Sequence, residues 1–393
     1  MRQIAANLAF NGTEWVKMPL VSLDDTGKIV KVDRFCPDKA EPANTEFYNG
    51  ILTPGFINAH THLDLSMKNA VYNGRSGMSD FVKHVRLCRE SLKSPDETYL
   101  KIQIRKINAS GTVALVDVTN SGAVLNNLKH AGLKNICFFE YMMLNASKIQ
   151  KQTALFCELL KRFPGEKIYP ALHSPYTMST ANFQALQEIF ARPREISSIH
   201  FRESKGEDQL YQHTGQLYEL YRDLDDHYKP AVNQNNLISK IFDLFEQTKK
   251  ILFVHNTFTS RQDIEEIENL THETNKKTGF VLCPRSNNNI SGVHPPYDLF
   301  RHSGLPVMLG TDSLLSASSL SIFDELLFVH KSRPDIPTGE LLQWITGNPA
   351  KMLGMEQDIG SLEPGKTPGI NLIHGAGVQA DQLPENTELK VLV

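Results

Sequence analysis

The run Gly55-Phe56-Ile57-Asn58-Ala59-His60-Thr61-His62 is mostly apolar and ends in two histidines separated by one residue. On a strand, residues two apart point to the same face. The pair therefore projects two imidazoles side by side from a strand end, where both can reach one metal ion at about 2.0–2.1 Å per bond. Taken alone the signal is weak, because two histidines on an arbitrary strand are more often just partly exposed. The pattern downstream gives it weight. Short apolar runs at 111–119, 135–144, 168–176, 196–204, 250–258, 279–287 and 305–313 alternate with longer helical stretches, which with 55–62 makes eight candidate strands. This alternation predicts an α/β protein with a parallel sheet closed as a (β/α)8 TIM-like barrel, whose chemistry gathers at the carboxyl ends of the strands.

On either side of that region the pattern changes. Residues 1–54 carry short strand-like runs such as 28–35, led in by the turn formers Asp24-Asp25-Thr26-Gly27, and residues 360–373 return to turns and strand after a last helical stretch ending near Leu353. The expected organisation is a small β-sandwich domain formed from both termini, 1–54 with 355–393, around a barrel at 55–354. Between Glu203 and Lys250 lies a longer interval with helical stretches at 208–224 and 236–247, broken near Lys229-Pro230. Its place after a strand end makes it a candidate lid, against the plainer reading of a surface insertion.

Composition narrows the function classes. The chain has 393 residues and a formal net charge of -3, with neither a basic stripe nor an acidic tail, which argues against nucleic acid or a membrane surface as the main partner. A small molecule is the expected partner, and a homodimer remains open. The five cysteines, Cys36, Cys88, Cys137, Cys157 and Cys283, are scattered and form no CxxC pair, as in a reducing cytoplasm. The first ten residues lack the apolar run of a signal peptide, and no stretch approaches the roughly 18 apolar residues of a spanning helix, so a soluble, unprocessed cytoplasmic protein is expected.

His173, His200 and His255 also end predicted strands, so five of the fourteen histidines stand at strand ends. The last strand finishes at Gly310-Thr311-Asp312-Ser313, with a carboxylate at the same level of the barrel and a glycine that permits close backbone approach. Asp312 can close a metal site, because a carboxylate buried among apolar residues needs a cation or hydrogen bonds. A catalytic metal keeps one position open for water and lowers its pKa towards about 7. Expelling ammonia or an amine also requires a carboxyl group that moves a proton from the incoming water to the leaving nitrogen. Glu203 is the best candidate. It lies three residues after His200, so the two would face opposite ways on a regular strand, and a break near Phe201 is predicted. His255 could ligate metal or hydrogen-bond the attacking water, and His173 could ligate metal or contact a substrate nitrogen; spacing does not choose.

The string from Thr53 to Leu63 resembles the opening motif of the amidohydrolase superfamily, in the branch holding adenosine-type deaminases and chlorohydrolases. His173-Ser174-Pro175-Tyr176-Thr177, His200-Phe201-Arg202-Glu203-Ser204, Val254-His255-Asn256-Thr257, Cys283-Pro284-Arg285-Ser286-Asn287, Leu309-Gly310-Thr311-Asp312-Ser313 and the run from Gly360 to Lys366 look like its later motifs in the same order. The resemblance implies one divalent metal ion held by His60, His62, His200 and Asp312, with Glu203 as proton shuttle, His255 polarising the attacking water and His173 against the substrate ring. Two-metal relatives carry a lysine at the fourth strand, where this chain has His173. Zinc is expected, although imidazole and carboxylate also suit Fe2+. The family acts on adenosine derivatives such as S-adenosylhomocysteine, guanine, cytosine and halogenated triazines, so the scaffold leaves the substrate open; a non-catalytic scaffold is the alternative of another class. The stretch from Gly77 to Arg86, the His173 segment and the helices after Glu203 are most similar to enzymes that deaminate a benzoate-bearing adenine nucleoside in the menaquinone pathway. A cationic partner for the benzoate is then expected among Arg86, Arg202 and Arg285. The aspartate usual in the last sandwich strand is Asn371 here, a departure expected to leave catalysis intact.

Overall fold

Eight strands alternate with helices through the middle of the chain: β1 (Phe56–Thr61), β2 (Thr112–Val118), β3 (Lys134–Tyr141), β4 (Ile168–Leu172), β5 (Arg194–Phe201), β6 (Thr248–His255), β7 (Lys277–Leu282) and β8 (Val307–Leu309). The computed structural model describes residues 2–36, 45–68, 70–72, 74–91, 96–375, 377–380 and 382–393. The strands lie in chain order in one sheet, and the registered pairs from β3 to β8 are parallel. The two ends of the sheet meet: Thr61 and Asp312 form a parallel bridge, and the amides of Thr311 and Asp312 both donate to the His60 carbonyl, at 2.9 and 3.1 Å. This closure makes the sheet the expected barrel. Gly310 permits it, because a Cβ there would lie 2.7 Å from His60 Cβ and 3.0 Å from its carbonyl oxygen.

The chain termini supply the second sheet. Its seven strands run in the order Glu388–Val391, Ile370–His374, Thr45–Pro54, Arg2–Phe10, Pro19–Leu23, Ile29–Arg34, with Trp15–Lys17 paired to Arg2–Phe10. Alternation along the first strand sends Ile4 and Ala6 into one apolar cluster, with Val21, Leu52 and Leu372, and Ala5 into another, with Leu20 and Phe35. By compactness the chain divides into one unit of Met1–Ala59, Ile104–Leu115 and Ser321–Val393 and another of His60–Gln103 and Val116–Leu320. Within the first, buried Asn371 donates its side-chain amide to the Gly111 carbonyl at 2.8 Å, a bond no carboxylate can make.

Several strands stop earlier than their apolar runs suggested. The runs at 168–176 and 279–287 are cut by Pro175, which opens a 3-10 turn at Pro175–Thr177, and by Pro284, which opens the helix Pro284–Ser291; proline lacks the amide a ladder needs and suits a first helical turn. The runs at 196–204 and 250–258 end at Phe201 and His255, where Arg202, His255 and Asn256 take positive φ of 50°, 72° and 57°. The single helical stretch at 208–224 is two helices, Gly206–Tyr211 and Gly215–Leu224, separated where His213 and Gly215 also have positive φ. The next helix is Leu237–Leu244. The intervening segment is stitched to the loop after β4: Thr180 N donates to Lys229 O, Ala231 N to Met178 O, and the buried Tyr228 hydroxyl to Tyr176 O at 2.6 Å.

Asn371→Asp should lower the unfolding free energy by about 1–3 kcal/mol, the usual cost of leaving a buried polar group unpaired, measured by urea denaturation at neutral pH. An unchanged midpoint would show that the Asn371–Gly111 bond carries no net stability.

Candidate active site

At the carboxyl-terminal mouth of the barrel, His60 from the end of β1 and His62 just beyond it meet His200 from β5. His200 Nε2 lies 3.3 Å from His60 Nε2 and 3.4 Å from His62 Nε2. Asp312 Oδ1, just past β8, is 3.8 and 3.7 Å from the same two atoms. All four residues are buried. Atoms held tetrahedrally about 2.0–2.1 Å from one ion sit roughly 3.3–3.4 Å from each other, so His200 is already at ligand spacing from both His60 and His62, and the carboxylate is within half an ångström of that spacing from the same two nitrogens. The donor set therefore fits a divalent cation.

The surroundings fix these donors. Asp312 Oδ2 accepts from Ser286 Oγ at 2.7 Å and Ser316 Oγ at 2.5 Å, leaving Oδ1 to face the histidines. Buried Asp117, at the end of β2, accepts from the Thr61 hydroxyl and the Leu63 amide, both at 2.8 Å, and so holds the residue on each side of His62. Burial first, then the charge of His62, drives His60 well below the usual imidazole range, and burial does the same to His200. Neutral imidazoles are what metal ligation requires. For Asp312 burial acts upward but is outweighed by His255, His62, His60 and the Ser316 hydroxyl, which hold it at about 2.

Glu203 stands beside this cluster because the break expected near Phe201 is present: β5 ends there and Arg202 turns the chain with its φ of 50°. Arg202 is held by Asp208 at 2.6 Å and Asp263 at 2.8 Å. Glu207 Oε1 accepts the amides of Glu203 and Ser204, at 2.7 and 3.1 Å. Burial, reinforced by Asp312, Glu207 and Glu140, pushes the Glu203 carboxyl well above the usual range, so it holds a proton readily. His255 Nε2 is 3.5 Å from Glu203 Oε1. Its Nδ1 lies 3.0 Å from Asn287 Oδ1; with that amide oxygen accepting, the neutral ring keeps its proton on Nδ1 and turns the Nε2 lone pair towards Glu203.

These groups open on a cavity of about 300 Å3. His62, His173, His200, Glu203, His255 and Asp312 wall it together with apolar Leu65, Met78, Phe81, Val85, Met142 and Leu144, and the segment after Glu203 contributes Tyr221 and Leu224. Of the three arginines expected to meet a substrate, only Arg86 lines the cavity, joined by Arg89 three residues on along the helix Met78–Ser91. Arg202 is committed to its two aspartates, and Arg285 donates to Ser318 and Ser319. Sequence reasoning missed Glu140. It stands one residue before the end of β3, 2.7 Å from His173 Nδ1. It also missed Arg89, for which position i+3 from Arg86 on one helix face was an available signal.

A closed parallel barrel with histidines and an aspartate converging at its mouth defines a barrel hydrolase with a candidate metal site. The profile of the Amidohydrolase family matches residues 51–391, and the chain belongs to that family. It is 29% identical over 294 residues to an adenosine deaminase of Helicobacter pylori, covering 71% of this chain and 68% of that protein. It is 26% identical over 295 residues to an aminodeoxyfutalosine deaminase of Nitratiruptor sp., covering 72% and 69%. In fold it matches a crystal structure of Helicobacter pylori aminofutalosine deaminase in complex with methylthio-coformycin, with a TM-score of 0.79 at 24% identity over 97% of this chain and 94% of that one. No helix among the described residues is long and apolar enough to cross a membrane.

Glu207 gives the site a pH signature. Burial raises its carboxyl to about 7, against the pull of the Ser204 amide and Arg202. An unfolded glutamate titrates near about 4.3, so between these values the folded state binds a proton that the unfolded state has lost. Stability contributed there falls as pH rises, with a slope approaching about 1.4 kcal/mol per pH unit. Glu207→Gln keeps an oxygen for the two amides and should flatten the fall between about pH 4.5 and 7 relative to the parent, as read by urea unfolding across that range.

Proposed function

We propose that this protein is a metal-dependent hydrolytic deaminase of an amino-substituted purine nucleoside, with aminodeoxyfutalosine as the preferred substrate. The observation that carries the reading is the juxtaposition of the His60, His62, His200 and Asp312 donors with the buried Glu203 carboxyl on one wall of a largely apolar cavity. The ligand set of three imidazoles and a carboxylate favours zinc, with Fe2+ the alternative. Such an ion supplies positive charge that makes a water acidic, towards a pKa of about 7.

The chain's own groups do the rest. The Nε2 lone pair of His255 orients the attacking water towards the amino-bearing ring carbon. Glu203 takes a proton from that water and passes it to the substrate's nitrogen, so that a carbon–oxygen bond forms, the carbon–nitrogen bond breaks and ammonia leaves. His173 contacts the ring. The apolar wall from Met78 to Val85 and from Met142 to Leu144 excludes bulk water and receives the body of the substrate. Arg86, exposed at the cavity edge with Arg89, meets a carboxylate at the substrate's far end. This last contact separates a benzoate-bearing nucleoside from adenosine or S-adenosylhomocysteine, and the names of the two similar deaminases support both kinds of substrate.

The test is ammonia release from a panel of adenine nucleosides with and without a benzoate. The parent should favour the benzoate-bearing member; equal or better turnover of adenosine would overturn that preference. Arg86→Leu should raise KM for the benzoate substrate about tenfold, equivalent to about 1.4 kcal/mol, and leave adenosine unaffected. Glu203→Gln should retain the metal and lose about 10²–10⁴ in kcat. Activity should vanish on dialysis against a chelator and return with zinc.

A further inference from the structure

Glu140 has no part in the chemistry above, yet it is the carboxylate nearest the outer nitrogens of two site histidines. Its backbone is clamped: Asn120 Oδ1 accepts its amide at 2.8 Å, and its carbonyl accepts from Asn120 Nδ2 at 2.9 Å and Gln152 Nε2 at 3.0 Å. Its side chain is buried, with Oε1 2.7 Å from His173 Nδ1 and 3.7 Å from His200 Nδ1, while those two nitrogens lie 3.1 Å apart. Distance decides what this second group of donors is. At 2.7 Å the Glu140–His173 contact is a charge-assisted hydrogen bond, well short of the roughly 3.3 Å separating two ligands of one tetrahedral ion. It is not a second metal site.

The protons follow from the ligand reading above, on which this inference rests. If His200 gives Nε2 to the ion, its single remaining N–H is on Nδ1, and a buried N–H needs an acceptor. His173 Nδ1 is the nearer atom, but its own proton goes to Glu140, so it has no lone pair to offer. Oε1 of Glu140, at 3.7 Å, is past hydrogen-bond length but is the anionic oxygen that this N–H faces. We infer that Glu140 is a positioning residue whose Oε1 takes the Nδ1–H of His173 in a hydrogen bond and sets its negative charge 3.7 Å from the Nδ1–H of His200, orienting the substrate-facing imidazole and the ion-binding imidazole together. With both Nδ1 groups turned towards Glu140, His200 Nε2 points at His60 and His62, and the far edge of the His173 ring is left for the cavity. Partners behind metal-bound histidines fix ring orientation and ligand basicity in this way.

Glu140→Gln preserves shape and removes charge; Glu140→Asp preserves charge and withdraws the oxygen by one methylene. Zinc affinity is measured by competition with a chromophoric chelator, with no substrate present, and KM by ammonia release. Both variants should bind zinc more weakly, by roughly 10- to 100-fold for Glu140→Gln and less for Glu140→Asp, and both should raise KM, with zinc-saturated melting temperatures close to the parent's. If Glu140→Gln does not fold, Glu140→Asp carries the test. A folded variant with the parent's zinc affinity overturns the inference, and so does weakened zinc binding with unchanged KM, which would leave Glu140 serving His200 alone. A parent that takes up no zinc in the same titration overturns the ligand reading itself and this inference with it, and that result is read before either variant is compared.

Discussion

Three imidazole nitrogens and a carboxylate oxygen converge in a buried space, with His200 3.3–3.4 Å and Asp312 3.7–3.8 Å from both His60 and His62. Their lone pairs converge, and protons shared between pairs of nitrogens cannot satisfy all of them at once. Burying such a set is unfavourable without a cation, and the surrounding structure is arranged so that the donors cannot turn away from each other. Ser286 and Ser316 hold the outer oxygen of Asp312, Asp117 holds Thr61 and Leu63 on either side of His62, and Glu140 lies behind His200 and His173. The closure of the barrel has the same consequence, since the bridge between Thr61 and Asp312 brings first and last strands together where three of the donors stand.

A second device appears at the strand ends. Arg202, His255, Asn256 and Asp312 have positive φ without being glycine. For most side chains that conformation costs about 1–3 kcal/mol, although asparagine and aspartate tolerate it better. The strain is held by specific contacts. Arg202 is fixed by Asp208 and Asp263, and Asn256 donates its amide to Phe201 O and its side chain to Phe253 O. What the turns accomplish is directional. A regular strand would send Glu203 away from His200; the break after Phe201 lets both line the same cavity. The unusual backbone and the chemistry therefore occupy the same few residues.

Much of this was legible in one dimension. The alternation of apolar runs and helical stretches fixed the barrel, because a parallel sheet covered by helices needs both kinds of segment in turn. The one-residue spacing of His60 and His62 fixed their common direction, because the pleat repeats every two residues. The conflict between the positions of His200 and Glu203 was itself readable and required a break in the strand. What spacing could not give was any distance between strands or any choice of helix face. Glu140 is a single acid in an apolar run, and its partner His173 is 33 residues away. Arg86, Arg202 and Arg285 are equivalent as letters, but packing ties two of them to aspartates and serines and leaves Arg86 on the cavity with Arg89. The sequence by itself determined the architecture and the kinds of groups at the strand ends, since these follow from local periodicity and side-chain chemistry. Only the tertiary structure decided which atoms face each other and which are already engaged, since that depends on where closure and packing place residues far apart in the chain.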